Sequence, residues 1–169
     1  TTIESTTSDF LSTGGFRTSR TGFGIGTGFE QYQDLFVNLD LSTYYEKLET
    51  ASTASKYKKK QEGDYFENLL NYKITLNKLD QNFQPTEGHM VSFRQVLPIY
   101  SDDLSIENTL NLSKYYSVTD NLILSGKFFF KAVNSIDDDV RVSRRVYIPT
   151  SKLRGFESGK FGPKDGDEY

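Results

Sequence analysis

The chain has 169 residues, a net charge of −3 and no cysteine. That excludes disulfides, thiolate chemistry and cysteine-based zinc sites, and it gives no field strong enough to attract nucleic acid. Hydrophobic content is low at 36% while aromatic content is high at 14%, the balance expected of alternating strands with one wet face; no run approaches the roughly 18 apolar residues of a membrane-crossing helix.

Thr1 to Ser8 is rich in Thr and Ser and reads as the end of a strand. The chain starts without Met and stops at Tyr169, and reads as a fragment of a longer protein. Asp9 to Gly15 reads as a loop closed by Gly14-Gly15. Phe16 to Glu30 is the first clear strand, with Phe23, Ile25, Thr27 and Phe29 on one face and Gly22, Gly24, Gly26 and Gly28 on the other. The glycine row fails the spacing of a phosphate-binding loop and no helix follows it. It predicts a strand face that another backbone or loop can approach closely.

After a turn at Gln31–Asp34, Leu35 to Glu46 alternates strictly: Leu35, Val37, Leu39, Leu41, Thr43 and Tyr45 against Phe36, Asn38, Asp40, Ser42, Tyr44 and Glu46. Leu48 to Tyr65 reads as a long polar loop carrying Lys56, Lys58, Lys59 and Lys60, either a solvated loop or a contact for anionic head groups. Further strands are predicted at Phe66–Leu79, His89–Leu97, Leu104–Tyr116 and Leu122–Ala132, with turns at Asp80–Gly88, Pro98–Asp103 and Val118–Asn121.

The pattern is about six strands of roughly 10–14 residues, longer than the 5–6 usual in soluble sheets and enough for the 9–11 tilted residues that cross a bilayer. The polar face interleaves both signs through Asp40, Glu46, Lys73, Arg94, Glu107, Lys127 and Lys131, as a wet barrel lumen or the solvent face of a sandwich would. The aromatic pairs Tyr44-Tyr45 and Tyr115-Tyr116 near strand ends favour a barrel with interfacial girdles.

Little in the chain points to bond-making chemistry. His89 is the only histidine and has no nucleophile the sequence places beside it. Asp137-Asp138-Asp139 lacks the glycine and distal Glu of a calcium loop and reads as a solvated turn. No catalytic residue, cofactor site or metal site is expected, and an enzyme reading has no supporting constellation. The run from Ile148 to Asp165 is different. It mixes turn glycines and prolines with bulky Leu153, Phe156 and Phe161 and the cations Arg154, Lys160 and Lys164. Such a segment packs against something. Arg154 is either an exposed loop arginine or one locked to a carboxylate inside a lumen.

Leu153-Arg154-Gly155-Phe156, followed by Gly162-Pro163-Lys164, closely resembles the sixth-loop motif of the BamA family of assembly factors, within the outer-membrane protein 85 (bacterial surface antigen) superfamily. Asn77-Lys78-Leu79-Asp80 with Pro85-Thr86-Glu87-Gly88 is similar to that family's strand–periplasmic turn–strand segment. The resemblance covers nearly the whole chain. It implies an all-β, antiparallel transmembrane β-barrel fragment, about strands 5–11 of a barrel of about 16 strands, in which residues 1–134 form strands and hairpin loops and 135–169 form the inward-folded sixth extracellular loop. POTRA domains and the remaining strands lie outside this stretch.

The resemblance further implies a functional loop motif of Leu153, Arg154, Gly155, Phe156, Gly162, Pro163 and Lys164, with Arg154 as an internal lock. It implies folding and insertion of β-barrel proteins at the bacterial outer membrane, without nucleotide or covalent catalysis. The expected partners are outer-membrane lipids including lipopolysaccharide, unfolded outer-membrane protein substrates, and accessory lipoproteins reached through POTRA domains; no nucleic acid is among them. Alternatives are a TamA-like or two-partner secretion translocator of the same superfamily, a passive porin, or a soluble β-sandwich adhesin.

Overall fold

The computed structural model describes residues 1–11, 14–119, 121–136, 139–148 and 155. Seven strands run in chain order as one antiparallel meander, a half-barrel with almost no helix. They are β1 (Thr2–Phe10), β2 (Phe16–Tyr32), β3 (Leu35–Thr50), β4 (Gly63–Leu79), β5 (Gly88–Ser101), β6 (Ser105–Thr119) and β7 (Leu122–Ser135). One helical turn, α1 (Lys56–Lys59), caps the β3–β4 connection.

Several strands overrun their sequence-based limits. The stretch Thr2–Phe10 is a full strand rather than a strand end followed by a loop, and it pairs with β2 from Thr2↔Gly24 to Phe10↔Phe16. β3 continues through Lys47–Thr50 and β4 begins at Gly63, so the expected loop from Leu48 to Tyr65 is ladder at its two ends and a connection only over residues 51–62. Lys47 and Glu49 replace apolar residues on the outer face there, so the greasy alternation ends before the hydrogen bonding does. β5 runs through Pro98, which lies at a register shift against β4 and beyond the last β5–β6 pair, Val96↔Glu107. Its missing N–H therefore removes no bond to β6.

The register sorts every residue onto one of two faces. Asp40, Lys73, Arg94, Glu107, Lys127 and Lys131 share the inner face through the pairs Asp40↔Asn71, Lys73↔Arg94, Arg94↔Thr109 and Thr109↔Lys131. The opposite face carries exposed Phe23, Ile25, Leu39, Leu41, Ile74, Leu124, Phe128 and Phe130. Large apolar side chains left out of the interior mark a face meant for lipid. Along β3 this apolar band runs from Leu35 to Tyr45, about 33 Å of strand, or about 25 Å of height at a tilt near 40°.

The aromatic pairs do not act as pairs. Period-two geometry sends neighbours to opposite faces. Tyr45 and Tyr116 are exposed outside, while Tyr44 lies inside beneath Arg20, whose guanidinium sits 3.7 Å above the ring, and Tyr115 faces Lys127. The outer girdle at one end is Tyr45 with the Phe66–Tyr100 ring pair.

The glycine row of β2 lies on the inner face, and among the described residues the neighbours that approach it belong to β3. A methyl at Gly22 would strike the Thr43 carbonyl and the Tyr44 ring, and one at Gly26 would approach the Leu39 carbonyl oxygen to 2.9 Å.

The β4–β5 turn explains its own motif. The Asp80 carboxylate accepts from the Thr86 backbone N–H at 3.1 Å, the Thr86 hydroxyl at 2.6 Å and the Glu87 N–H at 3.2 Å. Gly88 then turns with φ +100°, where a Cβ would collide with the backbone of Lys78 and Leu79. This turn, together with the β2–β3 and β6–β7 connections, defines one end of the sheet, called here the lower end. The β1–β2, β3–β4 and β5–β6 connections and the exit of β7 define the upper end.

Candidate functional site

At the upper end the chain leaves β7, hands the Ile136 N–H to the Leu104 carbonyl at 2.8 Å, and returns as a strap, residues 139–148, across the inner wall. The strap sits on inner-face positions of three strands: Phe16 on β2, Leu48 on β3 and Tyr65 on β4. Val142 is fully buried against Phe16 and Leu48, with Tyr65 packed beside them. A 3-10 turn at Val142–Arg144 points successive side chains at different wall strands. Its first N–H is fixed by the Gln61 side-chain oxygen at 2.8 Å.

The polar half of the seat is built around Glu67, 1% exposed, and Arg141, 2% exposed. The Arg141 Nη2 donates to Glu67 Oε1. Its Nε lies 3.5 Å from Glu46 Oε1 and 3.8 Å from Asp103 Oδ2, and its guanidinium carbon stands 4.0 Å over the Tyr65 ring. The other oxygen of Glu67 faces Arg20 Nη2 at 3.4 Å and Arg144 Nη1 at 3.6 Å. Ser143 completes the set, donating to Glu46 at 2.6 Å and accepting from Arg141 Nε at 2.9 Å. Three guanidinium groups thus meet three carboxylates, and the charges cancel. Burial pushes the Asp103 carboxyl above its ordinary range, against the opposing pull of Arg141.

Sequence reasoning placed Glu46 on the inner face but missed Arg141 as its partner. The signal was the run Val140-Arg141-Val142-Ser143-Arg144-Arg145, too short for a periodicity argument and overshadowed by the glycine-rich stretch after it. Of the expected loop motif, Leu153, Arg154, Phe156, Gly162, Pro163 and Lys164 lie outside the described residues, as do Asp137 and Asp138. Gly155 is described: it is exposed with φ +88°, and a Cβ there would meet nothing within 4 Å. Glycine is required at that position by backbone conformation, not by crowding.

The lysines of the expected polar loop are also partly structural. Lys58 is buried, and its ammonium donates to the Gly14 carbonyl at 3.1 Å, tying α1 to the β1–β2 connection. Lys59 donates to the Ser52 carbonyl at 2.6 Å. A cleft of about 510 Å³ remains between α1, the β5–β6 connection and the strap, lined by Lys60, Asp102, Asp139 and Arg141 among others. Among the described residues no group of three His, Cys, Asp or Glu side chains is arranged to hold a metal ion. The arrangement does mechanical work: it holds a returning segment against the inside of a curved wall.

Comparison with known proteins agrees with this geometry. No curated protein matches the chain. The family model described as the Omp85 superfamily domain matches residues 2–169. An outward apolar band, a charged inner face and a strap folded inward therefore have their context: the chain belongs to the Omp85 superfamily, whose members insert or translocate proteins at the bacterial outer membrane.

Proposed function

We propose that the protein carrying this chain is a BamA-type assembly factor that folds and inserts β-barrel proteins into the outer membrane. The observation that carries this is the strap seated on the inner wall by Arg141, Glu67 and Val142. A wall that must open a seam to an incoming strand loses ladder bonds there, and a segment cross-linking β2, β3 and β4 from inside keeps the remaining strands in register. In this reading the chain supplies strands 5 to 11, the upper end faces outside the cell, and the Asp80–Gly88 turn faces the periplasm. Unfolded outer-membrane proteins are the substrates and lipopolysaccharide the surrounding lipid, with accessory lipoproteins reached through POTRA domains. The protein acts without nucleotide, metal or covalent chemistry.

The test is reconstitution of the full-length protein into liposomes, followed by addition of a urea-unfolded outer-membrane barrel. Folding, read by heat-modifiable gel mobility, is expected to be faster than in empty liposomes for several unrelated barrels. Acceleration of one dedicated partner alone would support a two-partner translocator instead. Ion conductance without any acceleration would overturn the reading in favour of a passive pore.

A further inference from the structure

Three polar side chains lie where the outer face is otherwise apolar. Tyr72, Gln95 and Asn108 stand side by side across β4, β5 and β6, in line with Leu39 on β3 and Ala132 on β7. The next outward row toward the lower end is Ile74, Phe93, Leu110 and Phe130, and Leu70 and Leu97 lie above. The three are joined. The Tyr72 hydroxyl donates to Gln95 Oε1 at 2.8 Å, and Gln95 Nε2 donates to Asn108 Oδ1 at 2.5 Å. The relay ends there: the Asn108 amide nitrogen donates to no side chain among the described residues. Plain hydrocarbon offers such a group no partner.

The ladder opens at the same place. Val96↔Glu107 is the last pair between β5 and β6, although β5 stays on β4 as far as Ser101↔Glu67 and β6 stays on β7 as far as Ser105↔Ser135. The other two upper hairpins are zipped to Phe10↔Phe16 and Leu48↔Gly63. A bulge makes Ile99 the extra residue of β5 at this parting. The result is an outward recess floored by half-buried Gln95, Asn108 and Ala132. Half-buried Leu110 and Leu112 continue it downward as an apolar trough beside exposed Phe128 and Phe130, about 13 Å of strand. On β7 the outward residues turn polar at Asn134, just above Ala132, so the polar floor lies just under the upper edge of the apolar band.

We propose that this recess binds lipopolysaccharide through one acyl chain of its lipid A. The chain lies in the trough, and its amide and hydroxyl groups bond to Asn108, Gln95 and Tyr72. Lipid A carries those groups just beneath its sugars, at the depth of the polar floor. A hydroxylated amide both donates and accepts, as the floor does, whereas a phospholipid ester only accepts. A neighbouring barrel would ride on Ile99, Phe128 and Phe130 and leave the floor untouched. That the upper leaflet is the one holding this lipid rests on the orientation proposed above; the recess itself does not.

The full-length protein, freed of other cysteines, carries bimane on Ile99→Cys beside the recess or on Ile25→Cys of β2 as reference; the two side chains are exposed alike, at 59% and 58%. Each is placed in vesicles of dibrominated phosphatidylcholine, whose bromines quench bimane on contact, with a low fraction of lipid A in both leaflets. Symmetric addition makes the result independent of which end faces outside, so this proposal and the assembly reading fail separately. Lipid A should be enriched beside Ile99 about fivefold over its bulk fraction, read as relief of quenching, with no enrichment at Ile25. Gln95→Leu with Asn108→Leu should bring Ile99 down to the reference. Ala132→Leu fills the recess and leaves its hydrogen-bonding groups in place; it should do the same, and it decides the matter if the double change fails to fold, as judged by heat-modifiable mobility. Three results would overturn the proposal: equal relief at the two positions, enrichment at Ile99 that survives both changes, or relief at Ile99 without lipid A that grows with the protein-to-lipid ratio, which would mark a contact between barrels.

Discussion

Glu67 is a carboxylate 1% exposed that faces three arginines. Removing one partner of such a cluster strands the rest in low dielectric. Glu67→Gln is therefore expected to destabilise the folded barrel by about 3–5 kcal/mol, seen as a lower temperature for loss of the compact gel band. Asp103 behaves in the opposite sense. Its folded pKa is raised by burial, so its ionised form is less favourable in place than in water. Its contribution is fully present below the unfolded pKa and is lost as pH rises through the folded value. Asp103→Asn should accordingly stabilise the folded barrel at neutral pH, read as a higher temperature for loss of the compact gel band. Asp80 shifts downward, chiefly through the Thr86 hydroxyl it accepts from. Its stabilisation of the lower turn is present above the ordinary carboxylate range and disappears as pH falls below about 4. Hydrogen exchange at the Thr86 and Glu87 amides should accelerate across that window, and Asp80→Ala should abolish the dependence. The Asp80 turn was legible because its chemistry is local in sequence. The Glu67–Arg141 pair was not, because its members are 74 residues apart and nothing in either neighbourhood names the other.

Strand faces were the most legible feature of the chain. Strict alternation from Leu35 to Glu46 assigned Asp40 and Glu46 to the wet side and Leu39 and Leu41 to the greasy side, and the β3–β4 register agrees. Strand ends were not legible, because Lys47–Thr50 extends the ladder above the membrane, where no apolar face is needed. Aromatics were misread as girdle pairs at Tyr44-Tyr45 for want of applying the same alternation. The two faces of β3 predict asymmetric sensitivity. Leu39→Arg, in mid-band on the outside, should cost about 2–4 kcal/mol, while Asp40→Asn one residue away should be mild; urea unfolding in lipid vesicles compares them. Gly22→Ala tests the tight side of β2. The added methyl meets the Thr43 carbonyl and the Tyr44 ring, so β2 must shift from β3. A loss larger than that of Gly63→Ala, where nothing lies within 4 Å, is expected in the same assay.

At the scale of the molecule, the sheet provides a curved wall with lipid on one side and charge on the other, and the strap ties three of its strands together from within. Membership of the Omp85 superfamily supplies the outer-membrane setting, and the strap seated by Arg141, Glu67 and Val142 is the brace on which the assembly proposal rests. The most direct test combines the two in reconstituted liposomes. The full-length protein carrying Glu67→Gln is compared with the unaltered protein for the rate at which it folds a urea-unfolded outer-membrane barrel, with heat-modifiable mobility confirming that the assembly barrel itself is intact. A clear slowing of substrate folding by an intact barrel is the predicted result. An unchanged rate in such a preparation would contradict the account.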